Sequence, residues 1–458
     1  MNVEVFKFGG ASVNSAEGVR NVARILALYK GKSMMVVISA MGKTTNALER
    51  ILGYYLEGDA VTLAEEYYKL RDFHLGIARN LCQLGQNRPD RTEASGGKDT
   101  SHLPDTGIAE VKDTSSLHPI VTDLENQFEE LRNILAGKSE LGYDETYDRV
   151  VSFGELFSSA ILFHFLLDEG FPVTFFDARQ LILTDSSFRD ARIDWKKTQL
   201  AVQKQLFTRF QDHKGSIGLT QGFIGSDSSG RPTTLGREGS DFTAAILGYC
   251  MRVKEVTIWK DVPGILNADP KWFENPVKLD LLAFHEAVEL AYFGATVIHP
   301  KTIKPLENAN ITLLVKSFLH PEEEGTSVKS LREWKIDIPI FIRKQNQVLI
   351  SIMPRDFSFI MEENLSQIFT ILAQLHVKAN VMQNSAISFS ICTDHDPVKI
   401  KSLIRELQKS FEIRFNEGLE LYTIRHYNDE AIQRITSGRN VILEQKSRNT
   451  IHLIVQIT

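Results

Sequence analysis

The sequence predicts an α/β protein: a mostly parallel sheet covered by helices on both faces, followed by a smaller ferredoxin-like module. The first part is predicted by short apolar runs, suited to buried strands, that alternate with helical patterns. The second part is predicted by a change of texture after about residue 320, where strand and helix patterns follow in the order βαββα. We therefore predict one domain at 1–315 and another at 316–458.

The first domain opens with a strand pattern from Val3 to Phe8, and a helical pattern begins at Asn14. Further strand-like runs are "MMVVIS" (34–39), "PVTFF" (172–176), "SIGLTQGFI" (216–224) and "EVTIW" (255–259). Residues 85–119 interrupt this order and are rich in Gly, Ser, Thr, Asp and Pro. Because this segment buries little apolar surface, we expect a mobile surface insertion, with an ordered lid as the alternative.

The second domain begins with "NQVLISI" (346–352), a helical pattern, "VKANVM", "AISFSIC" and a further helix from Pro397. A second round starts at "GLELYTIRHY" (418–427) and reaches the end of the sequence at "TIHLIVQIT". There is no room after it for a last helix and strand, so we expect the second ferredoxin-like unit to be truncated.

The composition excludes several classes of function. Formal net charge is −6, and the 52 basic and 58 acidic residues are mixed along the chain, so no basic face for nucleic acid or an anionic membrane is indicated. Cys82, Cys250 and Cys392 lie far apart and lack metal-ligand or redox spacing. No secretory signal is evident and no apolar run approaches the ~18 residues of a membrane span. These patterns predict a cytoplasmic protein with reduced thiols and no metal site of its own.

The stretch "VEVFKFGGASV" (3–13) places Lys7 near the end of a strand and Gly9-Gly10 directly after it. Glycine N–H groups and the start of a helix favour an anion, and Lys7 would face the same anion. A glycine-rich turn with a lysine reaching to solvent is the alternative. The nearby "GKTT" (42–45) resembles the end of a P-loop, but Val37 stands where that motif needs glycine, so we reject a P-loop enzyme.

Three further stretches carry residues suited to a small charged ligand. In "TQGFIGSDSSGRPTTLGREGSDFTAA" (220–245), Arg237 is flanked by glycines and precedes Ser240-Asp241 at a predicted helix start. A guanidinium can grip a carboxylate or phosphate with two hydrogen bonds, although Ser and Asp here also suit a helix cap. Glu155, in "VVSFGELFSSA", could pair with an ammonium or simply complement a helix dipole. The turn "WKDVPGILNADP" (259–270) follows a strand, where ligands of open α/β sheets collect.

Seven motifs in these stretches occur in the same order in a family of known proteins. "KFGGASV", "VSFGE", "TQGFIG", "TTLGREGSDFTAA", "KDVPGI", "ADP" and "FGATVIHP" run in order over residues 3–300. Together they resemble the aspartate kinases of the amino-acid kinase fold, an αβα sandwich, and the C-terminal part resembles the regulatory ACT domains of these enzymes. The resemblance implies that ATP, with Mg²⁺ carried on its phosphates, phosphorylates the β-carboxylate of L-aspartate. The product would be 4-phospho-L-aspartate, which enters lysine, threonine and methionine biosynthesis.

The resemblance also implies roles for individual residues. Lys7 and Asp241 are expected to be catalytic, with Arg237 on the substrate α-carboxylate and Glu155 on its ammonium. The expected substrate pocket comprises Ser39, Thr45, Glu155, Arg237, Gly239 and Ser240. The expected ATP contacts are Lys7, Gly9, Gly10, Ser12, Lys260, Asp261, Gly264, Leu266 and Lys271. Departures from the commonest family pattern occur at Ala11, Glu238, Lys260, Leu266 and Thr296, and those at Leu266 and Thr296 bear on nucleotide affinity.

Regulation and assembly are less tightly specified by the resemblance. Asn380 stands where lysine-sensitive relatives carry an acid, and we place Asn380, Gln383 and Ser385 near an effector pocket at an ACT-mediated homodimer interface. Lysine, threonine or no effector all remain open, as does an ACT module that only dimerises. Other amino-acid kinases lack the combined "VSFGE" and "GREGSDFTAA" pattern. A catalytically silent amino-acid sensor of the same fold remains the alternative function.

Overall fold

The computed structural model describes residues 3–85, 118–137, 141–295, 298–331, 336–356 and 358–456. These residues form two compact units. The first unit comprises 1–264, 280–284 and 298–330, and the second comprises 265–279, 285–297 and 331–458. Most of the predicted insertion, 86–117, lies outside the described residues, so its mobility stays a prediction.

The first unit contains an eight-stranded, mostly parallel sheet in the order β3-β4-β2-β1-β7-β9-β10-β8. Its strands are β1 (Val3–Phe8), β2 (Ser33–Ile38), β3 (Val173–Phe176), β4 (Ile217–Gln221), β7 (Glu255–Lys260), β8 (Leu281–Ala283), β9 (Thr312–Ser317) and β10 (Thr326–Lys329). Among the described strands of this sheet, β9 and β10 pair antiparallel and the other pairs are parallel. A separate antiparallel hairpin is formed by β5 (Ile224–Ser226) and β6 (Pro232–Thr234). The predicted mostly parallel sheet is therefore confirmed.

The central strand β1 shows why the sheet is covered on both faces. Five of its six residues are buried, and successive side chains of a strand point to opposite faces. Phe6 and Phe8 join an apolar core with Val36, Ile38 and Trp259. The alternate residue Lys7 points to the other face and contacts Asp241. The end of β1 therefore delivers a cation to the face opposite that core.

Helices of the first unit connect and cover these strands. They are α1 (Ala16–Leu28), α2 (Thr44–Glu57), α3 (Ala60–Gly85), α4 (Pro119–Ala136), α5 (Tyr143–Val151), α6 (Phe153–Asp168), α7 (Ala178–Leu181), α8 (Trp195–Val202), α9 (Thr208–Asp212), α10 (Gly239–Met251) and α12 (Pro300–Asn308). Helix α1 begins two residues after the predicted Asn14, because the Ser15 side chain caps it by accepting from the Gly18 N–H at 3.1 Å.

One helical stretch among the described residues, Tyr143–Asp168, is long and apolar enough by length and composition to cross a membrane. The expectation that no such run exists was therefore wrong. However, 83% of its most apolar window is buried inside the protein. Glu155 is also buried within it. These features are those of a core helix, which is apolar on all sides because it is packed on all sides.

The second unit contains a six-stranded antiparallel sheet in the order β12-β13-β11-β14-β16-β15. The strands are β11 (Ile340–Pro354), β12 (Ala379–Asn384), β13 (Phe389–Asp394), β14 (Phe411–Arg425), β15 (Asn440–Lys446) and β16 (Thr450–Gln456). The helices are α13 (Glu362–Gln374), α14 (Pro397–Leu407), α15 (Asp429–Thr436) and, except for its first residue, α11 (Phe284–Phe293). The long strands β11 and β14 each serve two ferredoxin-like halves.

The second half is not short of a strand, so the expected truncation was wrong in this respect. Residues 340–344 of β11 pair with residues 421–425 of β14 and supply the fourth strand from upstream in the chain. The core beside α15 is completed by Ala268 and Phe273, which pack with Phe341 and Tyr422. The second half therefore needs fewer residues after 427 than a complete unit, because its fourth strand and part of its core come from residues that precede the first half in sequence.

The observed division differs from the predicted boundary at 315/316, which falls inside β9. Residues 326–329 stay with the first unit because β10 pairs with both β9 and β8. Residues 265–279 join the second unit because their apolar side chains belong to its core. Both units are therefore discontinuous in sequence, which a single predicted boundary could not describe.

Candidate active site

A cavity of about 740 Å³ in the first unit collects most of the residues predicted for substrate and nucleotide. The predicted residues that line it are Lys7, Gly10, Ser39, Thr45, Glu155, Arg237, Gly239, Ser240, Asp241 and Lys260. They come from the ends of β1, β2 and β7 and from the N-terminal turns of α2, α6 and α10. The carboxyl ends of parallel strands meet at one edge, which is why residues so distant in sequence converge.

A buried carboxylate is held between two ammonium groups at one end of this cavity. Asp241 is 2% exposed, its Oδ1 lies 2.6 Å from Lys7 Nζ, and its Oδ2 lies 3.3 Å from Lys260 Nζ. Burial acts to raise the pKa of Asp241, but the two ammonium groups outweigh it and hold that pKa below its ordinary value. The three groups together carry a net positive charge, which suits a polyanion such as a phosphate chain.

The turn after β1 brings backbone and hydroxyl groups close to Lys7. Residues Gly10–Val13 form a single 3₁₀ turn, and a Cβ on Gly10 would lie 2.6 Å from the Ala40 carbonyl oxygen. Only glycine therefore fits at position 10. The Ser12 hydroxyl is buried and has no hydrogen-bond partner among the described residues. A buried donor without a partner is costly, so this hydroxyl is available to a ligand oxygen.

Glu155 and Arg237 provide a carboxyl group and a guanidinium with free hydrogen-bonding capacity. Glu155 is 3% exposed, and its Oε1 accepts from the Ala40 N–H at 3.2 Å, while Oε2 has no partner in the described structure. Burial raises the pKa of Glu155 to about 8. The Arg237 guanidinium is exposed and forms no hydrogen bond or ion pair with a described residue. Such a pair is complementary to the two charged groups on the α-carbon of an amino acid.

The remaining predicted nucleotide residues do not line this cavity. Gly9 and Ser12 flank it in the β1 turn, and Asp261 and Gly264 follow Lys260 on the same turn. Leu266 and Lys271 belong to the second unit, where Leu266 forms an isolated bridge with Lys278. Their roles toward ATP stay predictions. Thr296 lies outside the described residues.

Several further residues line the cavity, and none of them was assigned to a substrate or nucleotide site from the sequence. They are Ala40, Gly42, Glu49, Asp144, Tyr147, Arg189, Phe223, Gly236 and Glu238. Phe223, Gly236 and Glu238 lie inside motifs that were recognised, and Glu238 has a left-handed φ of 54°. Tyr147 and Arg189 come from α5 and from a loop without regular structure, and no sequence pattern marks either of them.

The three residues proposed near an effector pocket lie in the second unit and differ in their hydrogen bonding. The Asn380 amide donates to Gln347 Oε1 and Asp394 Oδ1, each at 2.9 Å, and its Oδ1 accepts from Lys344 Nζ at 2.9 Å. Gln383 and Ser385 are exposed, and the Ser385 hydroxyl lies 2.8 Å from that of Ser388. Asn380 is thus committed to an internal polar network.

A protein-built metal site is not formed by the described residues, which contain no cluster of three or more His, Cys, Asp or Glu suited to a metal ion. Asp241 is the carboxylate closest to Lys7, and both its oxygens face ammonium groups.

Comparisons with known proteins agree with this geometry. The model of the amino acid kinase family matches residues 2–317. Aspartokinase 2 (chloroplastic) of Arabidopsis thaliana is 30% identical over 418 residues, covering 88% of this chain and 69% of the relative. Lysine-sensitive aspartokinase 3 of Escherichia coli K12 is 33% identical over 288 residues, covering 60% of this chain and 62% of the relative. The match to aspartokinase 1 (chloroplastic) of Arabidopsis thaliana spans 65% of that relative's length.

Solved structures extend the likeness to the whole chain. Escherichia coli aspartokinase III in complex with lysine and aspartate has a TM-score of 0.77 and 25% identity, covering 100% of this chain and 96% of that one. The same enzyme with aspartate and ADP has a TM-score of 0.75 and 26% identity, covering 99% and 96%. Family model, curated relatives and fold thus agree, and the chain belongs to the amino acid kinase family and, within it, to the aspartokinases.

Proposed function

We propose that this protein is an aspartate kinase that transfers the γ-phosphoryl group of ATP to the β-carboxylate of L-aspartate. A β-carboxylate oxygen attacks the γ-phosphorus, a new O–P bond forms, and the bond from that phosphorus to the β,γ-bridging oxygen breaks. ADP leaves with the electron pair, and 4-phospho-L-aspartate is the other product. We place this reaction at the entry to lysine, threonine and methionine biosynthesis.

The observation that carries the proposal is the pairing of a cationic end with a zwitterion-binding end in one cavity. Lys7 and Lys260 would face the phosphate oxygens, where negative charge accumulates during transfer. Arg237 would bind the α-carboxylate with its free guanidinium, and Glu155 would accept the ammonium on its unpartnered oxygen. This orients the β-carboxylate toward the phosphoryl group, so catalysis here is mainly alignment and charge stabilisation.

Mg²⁺ would enter on the ATP phosphates and help neutralise their charge. Asp241 would keep the Lys7 ammonium directed into the cavity, because its Oδ1 lies 2.6 Å from Nζ. The buried Ser12 hydroxyl would donate to phosphate oxygens, together with backbone N–H groups at the start of the 3₁₀ turn.

The proposal is tested by trapping acyl phosphate with hydroxylamine in the presence of Mg-ATP. L-aspartate, L-glutamate and N-acetylglutamate are offered in parallel, and the ferric hydroxamate is measured. We expect hydroxamate from aspartate alone. Binding of aspartate without any hydroxamate would contradict the kinase and would leave the silent amino-acid sensor.

We further propose that the protein is a homodimer joined through the first ferredoxin-like half of the second unit. Strand β12 is an edge strand, with one neighbour in the sheet. Large apolar side chains are exposed on this half: Phe359, Met361, Phe369, Met382 and Ile387. An exposed apolar edge is an association surface, and a second copy of the same edge is complementary to it by symmetry.

Replacing Met382 by Asp is expected to convert the dimer into a monomer, because it would place a charge in the apolar contact between two β12 strands. Multi-angle light scattering at several protein concentrations measures the change in mass. Leu56→Asp is the matched control, since Leu56 is 48% exposed and Met382 is 42% exposed, but Leu56 lies on α2 of the first unit. A wild-type monomer, or a Met382→Asp dimer, would contradict this interface.

We expect free lysine to inhibit the enzyme weakly or not at all. Asn380 is neutral, and its Oδ1 already accepts from Lys344 Nζ while its Nδ2 donates to Gln347 and Asp394, so it presents no negative charge to an incoming ammonium. Initial rates measured against rising lysine and threonine check this expectation. Strong inhibition by lysine, lost in Asn380→Ala, would show that this network opens for the effector.

A further inference from the structure

The loop after α7 carries an arginine in an uncommon backbone conformation. Arg189 has a φ of 68°, in the left-handed region that residues with a side chain seldom occupy. Its backbone N–H donates to both Oδ1 and Oδ2 of Asp148, each at 3.0 Å. Asp148 is fully buried, so this anchor is not shared with solvent. Strained positions that the surrounding structure holds in place concentrate at ligand sites.

The same buried carboxylate also anchors the strand that leads to Arg237. Asp148 accepts from the Thr234 N–H at 2.7 Å and from the Thr234 hydroxyl at 2.6 Å. The Ala191 N–H donates to the Thr234 carbonyl at 2.9 Å, and a Cβ on Gly236 would lie 3.2 Å from the Arg189 carbonyl oxygen. The chain around Arg189 therefore runs against the chain that precedes Arg237, and Asp148 fixes the two loops relative to each other.

The Arg189 guanidinium is oriented by aromatic rings and lines the candidate active site. Its central carbon lies 4.7 Å from the centre of the Tyr147 ring and 5.3 Å from that of Tyr143. Tyr147 is itself held by a 2.6 Å hydrogen bond from its hydroxyl to Glu49. Stacking on a ring leaves the N–H edge of a guanidinium available for a planar oxyanion. Arg189 lines the same cavity as Arg237 and Glu155.

The present partner of this guanidinium is weakly held. Arg189 Nη1 lies 3.3 Å from Asp144 Oδ1, and both side chains are about half exposed, 48% and 60%. An exposed ion pair contributes little, so a ligand carboxylate could replace Asp144 at small cost. The Asp144 carboxylate therefore occupies the place where the Arg189 guanidinium would bind a ligand carboxylate.

We propose that Arg189 is a second carboxylate-binding residue of the active site, which holds the non-reacting carboxylate of a dicarboxylic amino acid together with Arg237. Lys7 and Lys260 are engaged at the Asp241 end of the cavity, so two cations serve the phosphates and two arginines serve the substrate. The inference rests on the proposed substrate, L-aspartate, but not on turnover. It makes Arg189 a determinant of aspartate affinity rather than of ATP affinity.

The test is Arg189→Gly, because glycine favours the left-handed backbone and so keeps the fold while removing the guanidinium. We expect the melting temperature to be maintained or raised. We expect the KM for L-aspartate to rise about tenfold or more, as for loss of a charge-assisted pair, with a smaller change in kcat and in the KM for ATP. Arg189→Lys should recover part of the affinity, since it keeps the charge but not the planar fork.

Arg192→Gly is the matched control, an exposed arginine three residues along the same loop that does not line the cavity. Calorimetric titration of L-aspartate into the wild type and both variants gives a readout that is independent of catalysis. Equal aspartate binding by the wild type and Arg189→Gly would overturn the inference. Absence of hydroxamate from a wild type that binds aspartate would instead overturn the proposed reaction, and the titrations would still decide the role of Arg189.

Discussion

Replacing Lys7 by Met is expected to lower kcat for aspartate phosphorylation by about 10³-fold, or about 4 kcal/mol of transition-state stabilisation. Methionine has nearly the length of lysine, so the change removes the charge and leaves the space filled. The measurement is the rate of hydroxamate formation at saturating Mg-ATP and L-aspartate. Lys30→Met, at an exposed position after α1, is the control that changes the same residue type elsewhere.

The size of this effect follows from the position of Lys7. It is 8% exposed, and water cannot easily replace its ammonium beside the phosphate oxygens. A cation in a poorly hydrated site stabilises developing charge more strongly than one in water. Its loss also leaves the buried Asp241 with Lys260 as the remaining ammonium, at 3.3 Å. The pKa of Asp241 should then rise, because one of the two cations that lower it is gone.

A loss of fold would give the same kinetic result, so stability is measured in parallel. Breaking a buried ion pair completely costs about 3–5 kcal/mol, and we expect a smaller loss here because Lys260 remains. Near-wild-type aspartate binding by Lys7→Met, with little hydroxamate, would assign the defect to phosphoryl transfer. A variant with more than a tenth of the wild-type kcat would contradict the catalytic role of Lys7.

The sequence predicted this part of the site because its signal is local. Strand, two glycines and a helical pattern follow one another from Val3 to Asn14, and the strand alternation alone directs Lys7 away from Phe6 and Phe8. Position 10 must be glycine because a Cβ there would collide with the Ala40 carbonyl oxygen, which follows the neighbouring strand β2. The sequence does not reveal this contact, but it does show the glycine. A motif whose backbone conformation is determined by its own residues can therefore be predicted from the local sequence alone.

Arg189 and the upstream segments that complete the second ferredoxin-like half were missed because their structure depends on distant residues. Arg189 owes its position to Asp148, which is 41 residues away in sequence. Strand β11 was predicted only as the run "NQVLISI" (346–352), whereas in the structure it begins at Ile340, before a polar run at 344–347. In the structure the strand continues through this run with a register shift, and Lys344 and Gln347 bond Asn380. Periodicity cannot reveal a polar residue whose partner lies on another strand.

The pH dependence of the reaction should report the ionisation of Glu155. Burial raises the pKa of this carboxyl to about 8, so at neutral pH it is mostly protonated before substrate binds. Only the carboxylate form can pair with the substrate ammonium, and binding below pH 8 must first expel a proton. The KM for L-aspartate should therefore fall about tenfold per pH unit as the pH rises toward about 8 and then level off.

The Glu155→Gln variant distinguishes ionisation of Glu155 from ionisation of other groups in the assay, because glutamine does not ionise. The variant should have a KM for aspartate about 30-fold or more above that of the wild type at pH 8.5, because one partner of a buried charge pair is lost. At pH 6 the two proteins should differ much less, since wild-type Glu155 is then protonated and also neutral. A wild-type KM that does not change between pH 6 and 8.5, or a variant with the same pH slope, would contradict the assignment.

Stability without substrate should show the opposite trend to affinity. A carboxyl whose pKa is raised by folding favours the folded state below its unfolded pKa, and this contribution is lost as the pH rises through about 8. The free energy of unfolding should therefore decrease over the range in which aspartate affinity increases, and Glu155→Gln should flatten both curves. Ionising the buried, unpartnered Glu155 oxygen is unfavourable until a cation binds beside it. The same oxygen would therefore lower the stability of the empty enzyme at high pH and raise its affinity for the substrate ammonium.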